Sequence, residues 1–257
     1  MLIDAHCHLD RYEENLGRAL QQIKQHRIFT ISNSMDIISY EQNVKIARTS
    51  DLVLPIFGVH PWNASEYVGH LKDLDPAISE SSMIGEVGLD HYFVNDTSLY
   101  DDQREVFEYL LRAANSQKKI VIVHTKGAED ETLQLLRRYN IERAIIHWYS
   151  GPWDVLEAMV EHGFYFTIGV EVLFSQRVQD VARYLPSELV LTETDNPGGY
   201  QSITGTVGTP LLIKDVMEKL AGIRRTSAQI VMTTVQNNLM RIGGNDPWLT
   251  RVRALCA

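Results

Sequence analysis

Met1-Leu2-Ile3-Asp4-Ala5-His6-Cys7-His8-Leu9-Asp10 opens the chain as a short apolar run that ends in His-x-His. A run of this length bounded by polar residues reads as a strand. Side chains on a strand alternate between its faces. His6 and His8 therefore point the same way, with Asp4 on the same face and Cys7 turned away. Two imidazoles side by side at a strand end are half of a metal site. Later apolar runs end in the residues of the other half. Glu86 lies in Ile84-Gly-Glu-Val-Gly-Leu-Asp90, and His124 ends Ile120-Val-Ile-Val-His124. His147 ends Ala144-Ile-Ile-His147, and Asp195 ends Leu189-Val-Leu-Thr-Glu-Thr-Asp195.

Outward from this stretch, strands and helices alternate. Strands are expected at Leu2–His6, Ile28–Ser32, Leu52–Val59, Met83–Val87, Lys119–His124, Ala144–His147, Phe164–Ile168 and Leu189–Thr194. Apolar residues at helical spacing lie between them: Leu16, Ala19, Leu20 and Ile23 first, later Val106, Phe107, Leu110, Leu111 and Ala114. Further helices are expected near Ile38–Arg48, Glu66–Ile78 and Glu129–Arg138, and around Val155–Val160 and Val178–Leu185. Two more close the pattern, around Leu212–Leu220 and Ala228–Val235. Eight strand–helix units imply right-handed parallel crossovers. In 257 residues they imply a single-domain α/β fold over residues 1–257, a closed (β/α)8 TIM-type barrel. An open doubly wound sheet would spread the ligand-type strand ends along a wide edge, whereas a closed barrel gathers them on one rim. The one long irregular segment is Asn196–Thr209, with four glycines directly after Asp195, where it reads as a connector or a lid.

Composition sets bounds. With 44% hydrophobic and 22% charged residues the chain reads as an ordinary globular protein. No apolar run reaches the ~18 residues of a membrane span, and no secretory pattern precedes the first strand. Two cysteines, Cys7 and Cys256, stand at opposite ends, which argues against a disulfide framework and for the cytoplasm. Cys7 reads as a small core residue. A net charge of −9 argues against bulk attraction to nucleic acid or acidic lipid. Divalent cations in a cleft would restore local positive charge.

Four histidines and two carboxylates make a mixed nitrogen and oxygen ligand set. Glu86, in the middle of the set, suits a carboxylate bridging two divalent ions, and Asp195 suits a ligand that also takes a proton from water. No Gly-x-Ser-x-Gly, P-loop or dinucleotide fingerprint offers another chemistry. His60, in a His-Pro-Trp turn, is a candidate substrate contact, as are Tyr92 and Lys126. Trp148 and Tyr149 follow His147 and offer rings for stacking on a base or sugar. His26, His70 and His162 are expected to face solvent, and His91 to line the mouth.

Taken together, six motifs resemble the signature set of the TatD family of metal-dependent deoxyribonucleases, within the amidohydrolase grouping. They are His6-Cys-His8-Leu-Asp10, Gly58-Val-His-Pro61, Ile84-Gly-Glu-Val-Gly-Leu-Asp90, His124-Thr-Lys126, His147-Trp-Tyr-Ser-Gly151 and Glu193-Thr-Asp-Asn-Pro197. The resemblance implies that His6, His8 and Asp195 hold one metal, His124 and His147 the second, and that Glu86 bridges them. It also implies Mg2+ dependence and 3′-exonuclease-like cleavage of DNA, with single strands or 3′ ends as substrate. The His-rich set suits Zn2+ or Mn2+ as well. Three positions depart from the family pattern, all on the substrate side. Trp62 stands where the family has a second His, Lys126 where it has Arg, and Val207-Gly-Thr-Pro210 where it has Arg-Asn-x-Pro. Lysine keeps the charge but loses the bidentate fork. These departures and the acidic charge leave two alternatives: a small-molecule amidohydrolase or phosphoesterase on the same scaffold, or a partner-binding subunit with a vestigial site and an unknown protein partner.

Overall fold

The computed structural model describes residues 1–256; of Cys256 only the backbone is described, so its expected lack of a disulfide lies outside the described side chains. In chain order the first elements are β1 (Leu2–Cys7), α1 (Leu16–His26), β2 (Ile28–Asn33), α2 (Ile37–Ala47) and β3 (Val53–Ile56). They are followed by α3 (Asp75–Glu80), β4 (Ile84–Asp90), α4 (Tyr100–Gln117), β5 (Val121–Lys126) and α5 (Glu129–Arg138). Next come β6 (Ala144–Ile146), α6 (Trp153–Glu161), β7 (Tyr165–Ile168), α7 (Gln176–Tyr184) and β8 (Val190–Thr192). The helices α8 (Gly198–Thr204), α9 (Leu212–Arg224), α10 (Ala228–Gly243) and α11 (Trp248–Cys256) end the chain. Sequence serine caps open two of these helices: Ser175 and Ser227 accept from the N–H of Val178 and Ile230.

Contacts divide the chain into two compact units. The first comprises residues 1–32, 43–54 and 166–257. In it β1 pairs with β2 and β7 with β8, all parallel. The eighth strand returns to the first: Thr192 Oγ1 donates to the Ile3 carbonyl at 2.7 Å. Beyond it Asp195 N–H donates to the His6 carbonyl at 2.8 Å, and His8 N–H to the Asn196 carbonyl at 2.9 Å. Cys7, Leu9, Ile23, Ile28, Val53 and Ile213 pack into this unit's core. Cys7 is buried there as expected, its thiol toward the Ile31 carbonyl, and burial pushes its pKa up.

The second unit comprises residues 33–42 and 55–165, with β4, β5 and β6 paired in that order and parallel. Every residue of β4 is buried, as in a parallel strand covered on both faces. Gly88 faces His124 across the β4–β5 ladder at φ +148°, and a Cβ there would lie 2.0 Å from the His124 carbonyl oxygen. Only glycine allows the two strands this approach.

The structure corrects four expectations. The helix expected over Glu66–Ile78 shrinks to six-residue α3, preceded by two 3-10 turns at Pro61–Glu66 and Leu71–Leu74. Gly69 at φ +88° breaks the continuity between those turns. The third strand is four residues rather than eight: beyond Ile56 only Phe57 pairs, in an isolated bridge to Ile84, before the chain turns at His60-Pro61. Asn196–Thr209 is not irregular throughout but contains α8. A final helix, α11, follows the last expected one and buries Leu249 and Val252.

Candidate metal centre

The return of the eighth strand alongside β1 places Asp195 beside the His-x-His. Asp4 accepts from Thr194 N–H at 2.9 Å and from its hydroxyl at 2.7 Å, so it clamps this turn rather than standing with the histidines. Burial pushes its pKa up to about 8, against the lowering effect of those bonds. Asp195 itself has φ +53°, a left-handed conformation rare outside glycine and common at functional sites. His6 Nε2 and His8 Nε2 lie 3.3 Å apart, and Asp195 Oδ1 lies 3.5 and 3.4 Å from them. Donor atoms about 2.0–2.2 Å from a common ion, at tetrahedral angles, lie about 3.4 Å from one another. The three atoms therefore fit one cation.

In the second unit Glu86 gathers three imidazoles. Its Oε1 is 2.8 Å from His124 Nδ1, 3.5 Å from His60 Nε2 and 3.7 Å from His147 Nε2. All four residues are buried. The nitrogen-rich donor set around one carboxylate oxygen again suits a divalent cation. The histidines differ in their partners. Trp62 N–H donates to His60 Nδ1 at 3.2 Å, so the neutral His60 ring carries its proton on Nε2 and donates toward Glu86. His60 thus faces the carboxylate through Nε2, and its donor atom also groups with those of Glu86 and His124 closely enough to share a cation. His124 presents Nε2 to Asp90 Oδ2 at 3.1 Å and Nδ1 to Glu86 Oε1 at 2.8 Å. A carboxylate behind a ligating histidine fixes the ring and its tautomer.

Asp90 is the residue that the sequence reading passed over, although it closes a motif already singled out. It is fully buried, and its Oδ1 accepts from Tyr92 N–H at 3.0 Å and Phe93 N–H at 2.8 Å. Its Oδ2 accepts from the Trp62 indole at 2.7 Å. Gln103 braces its backbone on both sides. Burial alone would raise the Asp90 pKa; the bonds from His124, Phe93 and Trp62 outweigh it and hold it well below the usual carboxylate range. Burial likewise opposes a charge on His124, but the bonds to Asp90 and Glu86 and their charges push its pKa up to about 9.

Of the expected substrate contacts, two are engaged within the protein. Lys126 Nζ donates to the Trp148 carbonyl at 3.0 Å and to Ser150 Oγ at 2.9 Å, and lies 5.6 Å over the Trp148 ring. Lys126 and Trp148 are thus held against each other. Tyr149 is buried, with its hydroxyl on the Pro152 carbonyl, and offers no ring for stacking. Tyr92 is exposed at the end of β4. His91 stacks on Tyr100 at 3.7 Å rather than standing open at the mouth. His70 and His162 are exposed; His26 is half-buried beside Lys214.

Residues 3–243 match the family described as TatD related DNase. The chain is 26% identical to the uncharacterized metal-dependent hydrolase YcfH of Escherichia coli K12, over 94% of this chain and 95% of that one. It is also 26% identical to the deoxyribonuclease TATDN3 of Homo sapiens, over 94% of each. Among solved structures it superposes on YjjV, a TatD homologue of E. coli K12, with a TM-score of 0.86 at 22% identity, covering 94% of this chain and 97% of that one. A TatD family hydrolase of Entamoeba histolytica gives 0.82 at 17% identity, with 94% and 97% covered. The fold is accordingly the expected single-domain α/β TIM-type barrel. No helix among the described residues is long and apolar enough to cross a membrane. With a family match over nearly its whole length and buried His and carboxylate clusters at its strand ends, the chain belongs to the TatD-related DNase family of metal-dependent hydrolases.

Proposed function

We propose that the chain is a two-metal hydrolase of DNA phosphodiester bonds, acting in the cytoplasm on single strands or 3′ ends. One observation supports it most: the buried His6, His8 and the Asp195 carboxylate offer donor atoms spaced for one divalent cation, and the buried Glu86 Oε1 lies among the nitrogens of His60, His124 and His147. By the family resemblance, His6, His8 and Asp195 would hold one divalent ion, His124 and His147 a second, and Glu86 would serve both. Such ions, Mg2+ by family or Zn2+ or Mn2+ by ligand type, would polarise a substrate oxygen and acidify a water.

The protein's own groups do the rest. Asp195 takes the proton from the attacking water as the new O–P bond forms and the ester P–O bond breaks. Glu86 is oriented by the His60 and His124 nitrogens that face it. His124 is aimed by Asp90. The name of the human relative, a deoxyribonuclease, supports the substrate class. A second reading, a small-molecule phosphoesterase or amidohydrolase, draws on the net charge of −9 and on a Lys126 already bound to Trp148 and Ser150.

The test is a metal-titrated nuclease assay on chelator-stripped protein, with 3′- and 5′-labelled single- and double-stranded DNA. Mg2+, Mn2+ and Zn2+ are added in turn. Metal-dependent shortening from one end is expected, and Asp195→Asn is expected to reduce it by about 10²–10⁴-fold with folding retained. A fully active variant would remove Asp195 from the site. Hydrolysis of a small phosphodiester with no DNA cleavage would favour the second reading.

A further inference from the structure

The segment after β4 holds two large aromatic rings in water beside the Glu86–His124 cluster. Tyr92 is 68% exposed and Phe93 57%, and Trp62, after the His-Pro turn, is 49% exposed. They touch edge to face, Tyr92 on Phe93 at 4.9 Å and Phe93 on Trp62 at 6.2 Å. Trp62 in turn meets the His60 ring at 4.7 Å, and His60 Nε2 is 3.5 Å from Glu86. Leaving such side chains exposed forgoes the free energy of burying them. Contiguous exposed apolar surface of this kind marks binding sites.

These rings are not on a loose loop. Asp90 Oδ1 holds the backbone N–H groups of Tyr92 and Phe93, and Asp90 Oδ2 holds the indole N–H of Trp62. His91, between Asp90 and Tyr92, is stacked on Tyr100. One buried carboxylate therefore fixes all three aromatic residues, and the same Oδ2 aims His124. Two hydrogen bonds, 2.7 and 3.1 Å long, connect the Trp62 indole to the His124 ring. With the Trp62 ring and the backbone under Tyr92 and Phe93 held in place, stacking on a ligand costs only the side-chain freedom of the two exposed rings.

We propose that Tyr92, Phe93 and Trp62 form an aromatic ledge that stacks an unpaired nucleobase of a single-stranded nucleic acid whose phosphodiester lies at the Glu86–His124 cluster. The inference rests on the phosphodiesterase reading and deepens it. Bases present a flat π-face to any aromatic side chain, which makes such stacking tolerant of sequence. In a duplex, neighbouring base pairs cover those faces, so the ledge selects unpaired ends. It also explains how an acidic chain grips a polyanion, since the ledge adds binding that needs no positive charge.

The experiment pairs protein variants with base deletions in the substrate. Hexadeoxyadenylate and the same oligonucleotide with one abasic deoxyribose, moved through the positions in turn, are hydrolysed by the Mg2+- or Mn2+-loaded full chain. The wild type is expected to lose about tenfold in kcat/KM when the base at one position is removed. Phe93→Ala and Tyr92→Ala are expected to bring that ratio toward one. A structural role would lower the two substrates equally and leave the ratio intact. A wild-type ratio of one at every position, or an undiminished ratio in both variants, overturns the ledge while oligonucleotide cleavage itself stands. If the wild type hydrolyses neither oligonucleotide, the DNA reading falls and the ledge falls with it.

Discussion

His124 stands between two carboxylates, Glu86 at Nδ1 and Asp90 at Nε2, and this sets its charge when no cation competes. A histidine whose folded pKa is raised to about 9, from an ordinary value near 6.5, stabilises the fold fully below the lower value. That contribution fades as pH rises through the upper one. Chelator-treated protein is therefore expected to lose about 2–3 kcal/mol of unfolding free energy between pH 6 and pH 9.5. Denaturant melts at the two pH values measure it. Asp90→Asn, which removes one of the charged partners, is expected to shrink the difference; an unchanged difference would mean that His124 is not its source. A proton and a divalent cation compete for Nδ1, so cation affinity should rise over the same interval. His60, set apart in the sequence as a candidate substrate contact, meets the Trp62 N–H at Nδ1 and turns Nε2 toward Glu86. Those partners depend on a backbone turn and could not be read from residue type.

At the scale of elements, the site is carried by strand ends and the turns that leave them. A close approach that it depends on is the pairing of Gly88 with His124 across β4 and β5. Gly88→Ala puts a methyl group into the His124 carbonyl at φ +148°, where side chains are strained as well. The expected loss is about 2 kcal/mol or more of stability, together with weakened cation binding, because the strands must separate at the ligand itself. Thermal melts and calorimetric titration with Mn2+ read the two effects. A fully stable variant with normal titration would show that the ladder can yield there. The sequence made most strands and long helices plain, since buried parallel strands are near-continuous apolar runs and α4 keeps a helical stripe. It failed at Glu66–Ile78 and Asn196–Thr209, where short turns and a seven-residue helix leave too few residues for a period to show.

For the molecule as a whole, burying these histidines and carboxylates carries a desolvation cost. A bound cation should offset it by mass action. Saturating Mn2+ is expected to raise the melting temperature of the chelator-treated chain by about 5–10 °C, following from roughly 2–3 kcal/mol of linkage in a chain of this size. Glu86→Gln should remove most of the rise, and equal rises in both proteins would place the stabilising ion elsewhere. The sequence alone determined the alternation of strands and helices, the barrel and the six ligand-type residues, because local periodicity and strand-end chemistry are properties of short stretches. Only the tertiary structure decided that Asp4 clamps Thr194 and that Asp90 joins Trp62 to His124. It likewise decided that Lys126 turns to Trp148 and Ser150. Those roles are set by partners up to 190 residues apart in sequence, which come within hydrogen-bonding reach only when the strands pair.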